Sequence, residues 1–151
     1  MSRQEKFVLI EYYRGNGKDS NLVTSDIVFK SRISSASCAL SFSAVAYDGY
    51  SIQIFAYFLP PDIGIYYFIM SCQYYGLMYI STPGKQDRRV LVWGTGTNSK
   101  SVYMEKNEKK AIEIVSGGHY NKSAGLITLG VTLPNGTQYS DIPNSFFDSL
   151  L

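Results

Sequence analysis

The chain reads as a succession of short runs in which apolar and polar residues alternate, the two-residue period of a strand with one buried face. Residues 126–133 are the cleanest case, with Ile127, Leu129, Val131 and Leu133 on one side and Thr128, Gly130 and Thr132 on the other. Residues 38–44 set Cys38, Leu40, Phe42 and Ala44 against Ala39, Ser41 and Ser43. Residues 50–59 begin with Ile52 and Ile54 opposed by Ser51 and Gln53, then turn apolar on both faces, as a strand does on entering the middle of a sandwich. Further β-branched and aromatic runs cover 7–13, 65–70, 77–80, 89–93, 101–104 and 111–115. Turn signals separate them: Pro60-Pro61-Asp62-Ile63-Gly64, Pro83-Gly84, and Pro134-Asn135-Gly136-Thr137, whose Asn-Gly pair is the strongest short hairpin signal. Residues 94–100 and 117–125 read as polar loops, and 72–76 as a loop between two apolar strands. The best helix window, 104–114, is rich in Lys and Glu but short. Eight to eleven strands with short turns predict an all-β sandwich or barrel. With no internal repeat and no low-complexity linker, residues 1–151 read as a single domain.

Residues 47–84 hold eight Tyr and three Phe but only two residues charged at neutral pH, Asp48 and Asp62. Pro60-Pro61 and Gly64 cut this stretch below the ~18 uninterrupted apolar residues of a membrane helix, so no direct membrane insertion is expected. Its rings form the centre of a β core, a sticky surface, or both. A 45% apolar content excludes wholesale disorder. The net charge of +2, from 14 basic and 12 acidic residues spread along the chain, provides no steering field for nucleic acid. Arg88-Arg89 and the Lys106–Lys110 cluster, which carries Glu105 and Glu108, read as solvated loop charges. Cys38 and Cys72 are too few for a disulfide scaffold and lack zinc spacing; bridge and free thiols both stay open. The N-terminal MSRQEKFVLIEYY has no signal segment. Asn121-Lys122-Ser123 and Asn135-Gly136-Thr137 are glycosylation sequons, of consequence only in a secreted protein.

Catalytic constellations are sparse. His119 is the single histidine, no serine sits in a GxSxG elbow, and the aspartates at 19, 26, 48, 62, 87, 141 and 148 are scattered. GTGTNSK at 94–100 lacks the spacing of a phosphate loop. A non-enzyme is therefore expected. Tyr74-Tyr75 stands out, because exposed rings combine apolar area with a hydroxyl handle. Folding back as a lid over the barrel end is the other reading of the pair.

The order of these segments resembles the protective-antigen-type β-barrel module, found in a bacterial toxin antigen, yeast flocculins, fungal adhesins, some glycosidases and fibrocystin-like surface proteins. Residues 55–71, FAYFLPPDIGIYYFIMS, look like that family's strand, Pro-containing turn and Gly-x-Tyr-x-Phe strand. Leu77-Met78-Tyr79-Ile80-Ser81-Thr82 resembles the next strand, and Lys110-Ala111-Ile112-Glu113-Ile114 its apolar-Glu strand. Residues 128–137 and Ile142-Pro143-Asn144-Ser145-Phe146-Phe147 resemble its closing strand, turn and Ile-Pro tail, and Val8-Leu9-Ile10-Glu11-Tyr12-Tyr13 its opener. The likeness spans roughly residues 7–147. It implies a ligand site on loops at one end. Glycan-binding members hold calcium there with two consecutive aspartates; Gln73 and Tyr74 stand at the matching positions. Calcium takes several hard oxygens, preferably charged, and Gln73 offers one neutral oxygen, so no metal and no cofactor are expected. The family likeness also implies a rim loop between Thr82 and Arg89 that is shortened in this chain.

The resulting expectation is a non-catalytic binding or adhesion module within a larger surface or secreted protein. It takes a glycan or protein partner through Gln73, Tyr74 and Tyr75, with His119, Tyr120 and Asn121 from the later loop. The alternative is a structural or assembly module whose aromatic edges pack on a neighbour. An enzyme, which needs two facing carboxylates, comes third. The family points to the cell surface or outside, the missing signal segment to the inside or to a piece of a longer chain.

Overall fold

A computed structural model describes residues 8–14, 29–35, 43–46, 50–117 and 125–148. The strands are β1 (Val8–Arg14), β2 (Phe29–Ser35), β3 (Ser43–Ala46), β4 (Tyr50–Phe58), β5 (Gly64–Ser81), β6 (Arg89–Met104), β7 (Lys110–Gly117), β8 (Gly125–Thr132), β9 (Gln138–Tyr139) and β10 (Phe147–Asp148). All pairings are antiparallel, in the order β2-β1-β4-β7-β5-β8-β3, with β10 on β4, β6 on β5 and β9 on β8. The expected all-β sandwich/barrel class is thus observed.

The organising element is the β5–β6 hairpin, whose long strands serve two layers. The first part of β5, Tyr67–Cys72, pairs with β8, and its second part, Gly76–Ser81, pairs with β7. β6 runs along the opposite edge of both parts. One layer is therefore β2-β1-β4-β7 and the end of β5; the other is β3-β8 and the beginning of β5.

Alternation decides what fills the space between them. Ile54, Ala56 and Phe58 of β4, Tyr66, Phe68, Met70 and Cys72 of β5, Ile112 and Ile114 of β7, and Ile127, Leu129 and Val131 of β8 all belong to one buried cluster. Phe58 is its centre: its ring meets those of Tyr66, Phe68, Phe146 and Phe147 edge-on at 5.4–6.4 Å. Such pairs add about 0.5–1.5 kcal/mol each beyond the area they bury. The tail seen in the sequence supplies the lid, with Ile142 and Phe147 buried and a 3-10 turn at Asn144–Phe146. Buried Tyr66 reaches out to the Pro60–Gly64 turn, where its hydroxyl donates to the Asp62 carbonyl and accepts the Asp62 N–H at 3.0 Å. Burial pushes its phenol above the ordinary value. The Asn-Gly hairpin forms as expected: Leu133 N–H donates to the Thr137 carbonyl at 2.8 Å, and Thr137 N–H to Asn135 Oδ1 at 2.9 Å.

Several expectations are corrected. The runs at 65–70 and 77–80 are one strand, as are those at 89–93 and 101–104; the stretches read as loops at 72–76 and 94–100 are strand. Their polar and glycine-rich character reflects a shared waist, described below, rather than a break in pairing. The charges at 88 and 109–110 are engaged. Arg88 pairs with Glu113, which also accepts from Gln53, and its guanidinium lies 3.7 Å from the centre of the Tyr79 ring. Lys109 pairs with Asp148 at 2.7 Å, 5.0 Å from the Tyr57 ring, and Lys110 bridges Glu108 and the Thr82 hydroxyl, each at 2.8 Å. β2 was not foreseen, because Lys30, Arg32 and its serines mask its alternation. It is the outermost strand of the described path, where charge is common. Of the run at 38–44, residues 38–42 lie outside the described residues.

Truncating Phe58→Ala should cost about 3–5 kcal/mol, read by denaturant unfolding, whereas Phe55→Ala on the opposite face of β4 should cost clearly less. Asp87 provides a pH signature. Its carboxylate accepts the Thr82 N–H and hydroxyl, each at 2.7 Å, and these bonds hold its pKa below the ordinary value. A depressed carboxyl stabilises the fold above its unfolded pKa of roughly 3.9 and loses that contribution as pH falls through the folded value. The difference in unfolding midpoint between the natural chain and Asp87→Asn should therefore be constant near neutrality and shrink below about pH 4.

Candidate binding site

The waist of the β5–β6 hairpin carries the first group of candidate residues. β5 and β6 are in register at Cys72↔Gly96 and again at Gly76↔Gly94. Between those points β5 has three residues, Gln73, Tyr74 and Tyr75, and β6 only Thr95. Pairing with β8 ends at Cys72 and pairing with β7 starts at Gly76, so among the described residues the three have no ladder partner on that side either. They form a bulge at the point where β5 passes from one layer to the other.

Small residues make the waist possible. Gly94 and Gly96 adopt φ of 127° and 81°, which side chains with a Cβ resist. A Cβ on Gly76 would lie 3.0 Å from Cys72 Sγ. The Cys72 thiol donates to the Gly94 carbonyl at 3.2 Å and the Ser116 hydroxyl to the Tyr75 carbonyl at 2.9 Å, tying the bulge to β6 and β7. Tyr75 is half-buried, between the lid and the exposed platform that its sequence position left open.

The second group, His119, Tyr120 and Asn121, lies outside the described residues. The ends of its segment are described. β7 passes Gly76 at Ser116, and β8 faces Cys72 at Ile127. The chain thus leaves and re-enters on either side of the bulge, so the anchors of the two groups come together although some 45 residues separate them.

Sequence reasoning missed Trp93. It pairs with Leu77, two positions from Tyr75 along β5, and is 53% exposed. Its signal was a lone tryptophan directly before Gly-Thr-Gly, hidden because the run at 89–93 resembles a core strand. Leu91 explains the misfit: it is an extra residue on β6 between Tyr79↔Val90 and Met78↔Val92, so Leu91 and Val92 are both buried and Val90 and Trp93 both exposed.

Among the described residues the waist offers one thiol, and it is not set up for covalent chemistry. Cys72 is a free thiol pushed up to about 11 by burial, far from a reactive thiolate. Among the described residues no three His, Cys, Asp or Glu side chains converge on a metal position. Among the same residues no helix is long and apolar enough to cross a membrane.

No protein family and no curated protein matches the chain by sequence. Solved structures do match its fold. The A domain of Epithelial Adhesin 9 from Candida glabrata, solved with Galβ1-4GlcNAc, superposes with a TM-score of 0.67 at 10% identity, covering 99% of this chain and 95% of its own. An anti-sigma factor domain-containing protein from Clostridium clariflavum gives 0.66 at 16% identity, over 95% of this chain and 48% of that one. The β-glucosidase of Kluyveromyces marxianus, in complex with glucose, gives 0.56 at 14% identity, over 82% of this chain but only 16% of the enzyme. At these identities the likeness establishes the fold.

With Cys38→Ser leaving one thiol to count, iodoacetamide at pH 8 should label native Cys72 more than ~100-fold more slowly than an unperturbed thiol. Denaturant should remove the protection. Mass spectrometry reads both rates.

Proposed function

We propose that residues 1–151 form one protective-antigen-type module that binds a glycan without catalysing its transformation, as part of a larger surface or secreted protein. The observation that carries this reading is the likeness to an adhesin A domain over nearly the full length of both chains, 99% and 95%. The glycosidase shares the fold over a small part of its length, which fits an accessory rather than a catalytic role for such a module.

The contact surface of this reading is the bulge Gln73–Tyr75, joined by Trp93 and by His119, Tyr120 and Asn121. A sugar ring presents apolar C–H faces and a belt of hydroxyls. Aromatic rings cover the faces, and the Gln73 and Asn121 amides serve the hydroxyls. Gln73 and Tyr74 bring no charged oxygen, so the mode of binding is metal-independent. Protein-partner binding for assembly is the second reading. It is favoured by one observation: Ile63, Ile65, Tyr67 and Tyr103 are each about half exposed around the paired positions Ile65↔Tyr103 and Tyr67↔Ser101.

A glycan array probed with the full chain should return a defined set of hits that persists in excess EDTA. Tyr74→Ala/Tyr75→Ala should weaken those hits at least fivefold, as loss of an aromatic anchor does (about 1 kcal/mol or more). An empty array, or hits indifferent to both tyrosines, would remove the bulge from the site.

A further inference from the structure

Two arms of β6 on either side of the waist, Leu91–Trp93 and Asn98–Lys100, line a concave notch of about 240 Å³. Drug-sized ligands occupy roughly 300–1,000 Å³, so this notch suits a single ring with a substituent. Leu91 and Val92 are its buried apolar members; Trp93, Ser99 and Lys100 are exposed.

The register makes Lys100 anomalous. Residues directly opposite one another in a ladder project to the same side of the sheet. Lys100 pairs with Phe68 and Asn98 with Met70, both fully buried core residues, and at the same parity Val102 and Met104 are buried. Two polar residues therefore occupy positions whose alternation calls for apolar ones. Asn98 is held in place by donating from Nδ2 to the Thr95 carbonyl at 3.2 Å. Arg88, Lys109 and Lys110 each have a carboxylate partner, whereas Lys100 makes no ion pair among the described residues. A cation with no anion among the described residues, at the rim of a small cleft whose floor is apolar, is the complement of an anionic ring.

We infer that this notch is a subsite for an acidic sugar, the ring lying between the Leu91–Trp93 and Asn98–Lys100 arms and its carboxylate or sulfate meeting Lys100 Nζ. The inference rests on the glycan-binding reading and adds the class of sugar. A lysine on the inner register also blunts an unpaired strand edge against association with other chains; that role alone would leave ligand affinity indifferent to Lys100.

Trp93 is the chain's single tryptophan, so its fluorescence reports on the notch directly. The full chain is titrated with glucuronic acid, with glucose 6-sulfate and with glucose. The expected result is a saturable change in emission for at least one of the two acids, and which of them saturates at lower concentration identifies carboxylate or sulfate as the natural group. Glucose should bind roughly tenfold more weakly, Lys100→Gln should weaken the acid by a similar factor, and added salt should weaken it further. Equal saturation by glucose, or acid binding unchanged in Lys100→Gln, would overturn the acidic-sugar inference while leaving the glycan reading intact. No saturable change with any of the three would overturn the notch as a sugar subsite, and the array hits with Tyr74 and Tyr75 would then decide the broader reading separately.

Discussion

The period of two along a strand is the constraint on which this molecule depends. β5 serves both layers, so its core-facing residues must keep one parity across the waist: Tyr66, Phe68, Met70 and Cys72 before it, Met78 and Ile80 after it, are all buried. A single extra residue would turn every side chain on one side of the insertion to the opposite face. Relative to β6 the bulge contains two extra residues, and the phase is preserved. On β6, where one extra residue is inserted at Leu91, the phase does change: Leu91 and Val92 are buried next to each other, and Trp93 comes out to the surface. The two irregularities, one phase-keeping and one phase-shifting, place Tyr75 and Trp93 near one another.

The aromatic stretch is both a core and a surface, and the ladder positions divide it. Phe58, Tyr66 and Phe68 hold the layers together through edge-on contacts. Phe55, Tyr57 and Tyr79 lie on the other face, where Tyr57 and Tyr79 carry the cations Lys109 and Arg88 on their rings. Those cations also pair with Asp148 and Glu113, so the closing strand and the turn at 82–88 are fastened to the outer face of the sheet. Exposed ion pairs are individually worth ~0–1 kcal/mol; their role here is to fix where the chain ends of the layer lie, rather than to supply stability.

Much of this was legible in the residues. Ile127, Leu129 and Val131 alternate over enough positions to fix both the strand and its buried face, and Pro134-Asn135-Gly136 fixes the hairpin after it. The anchors at Ile142 and Phe147 were visible as an apolar tail. What stayed hidden depends on pairing. Cys72–Gly76 looks like a loop because its glycine and polar residues mark turns locally, yet the neighbouring β6 keeps the strand continuous through it. Gly94–Lys100 was misread for the same reason. Lys100 looked like an ordinary loop lysine until Phe68 was found opposite it, and the Arg88–Glu113 pair joins positions 25 residues apart.

Deletion at the waist tests the phase argument most directly. Removing Gln73 and Tyr74 together leaves one residue between the paired positions on both strands, and the account predicts a cooperative thermal transition with the near-ultraviolet circular dichroism of a packed aromatic core. Removing Gln73 alone inverts the phase of half of β5, and the account predicts loss of both. A single deletion that folds as well as the double one would contradict it.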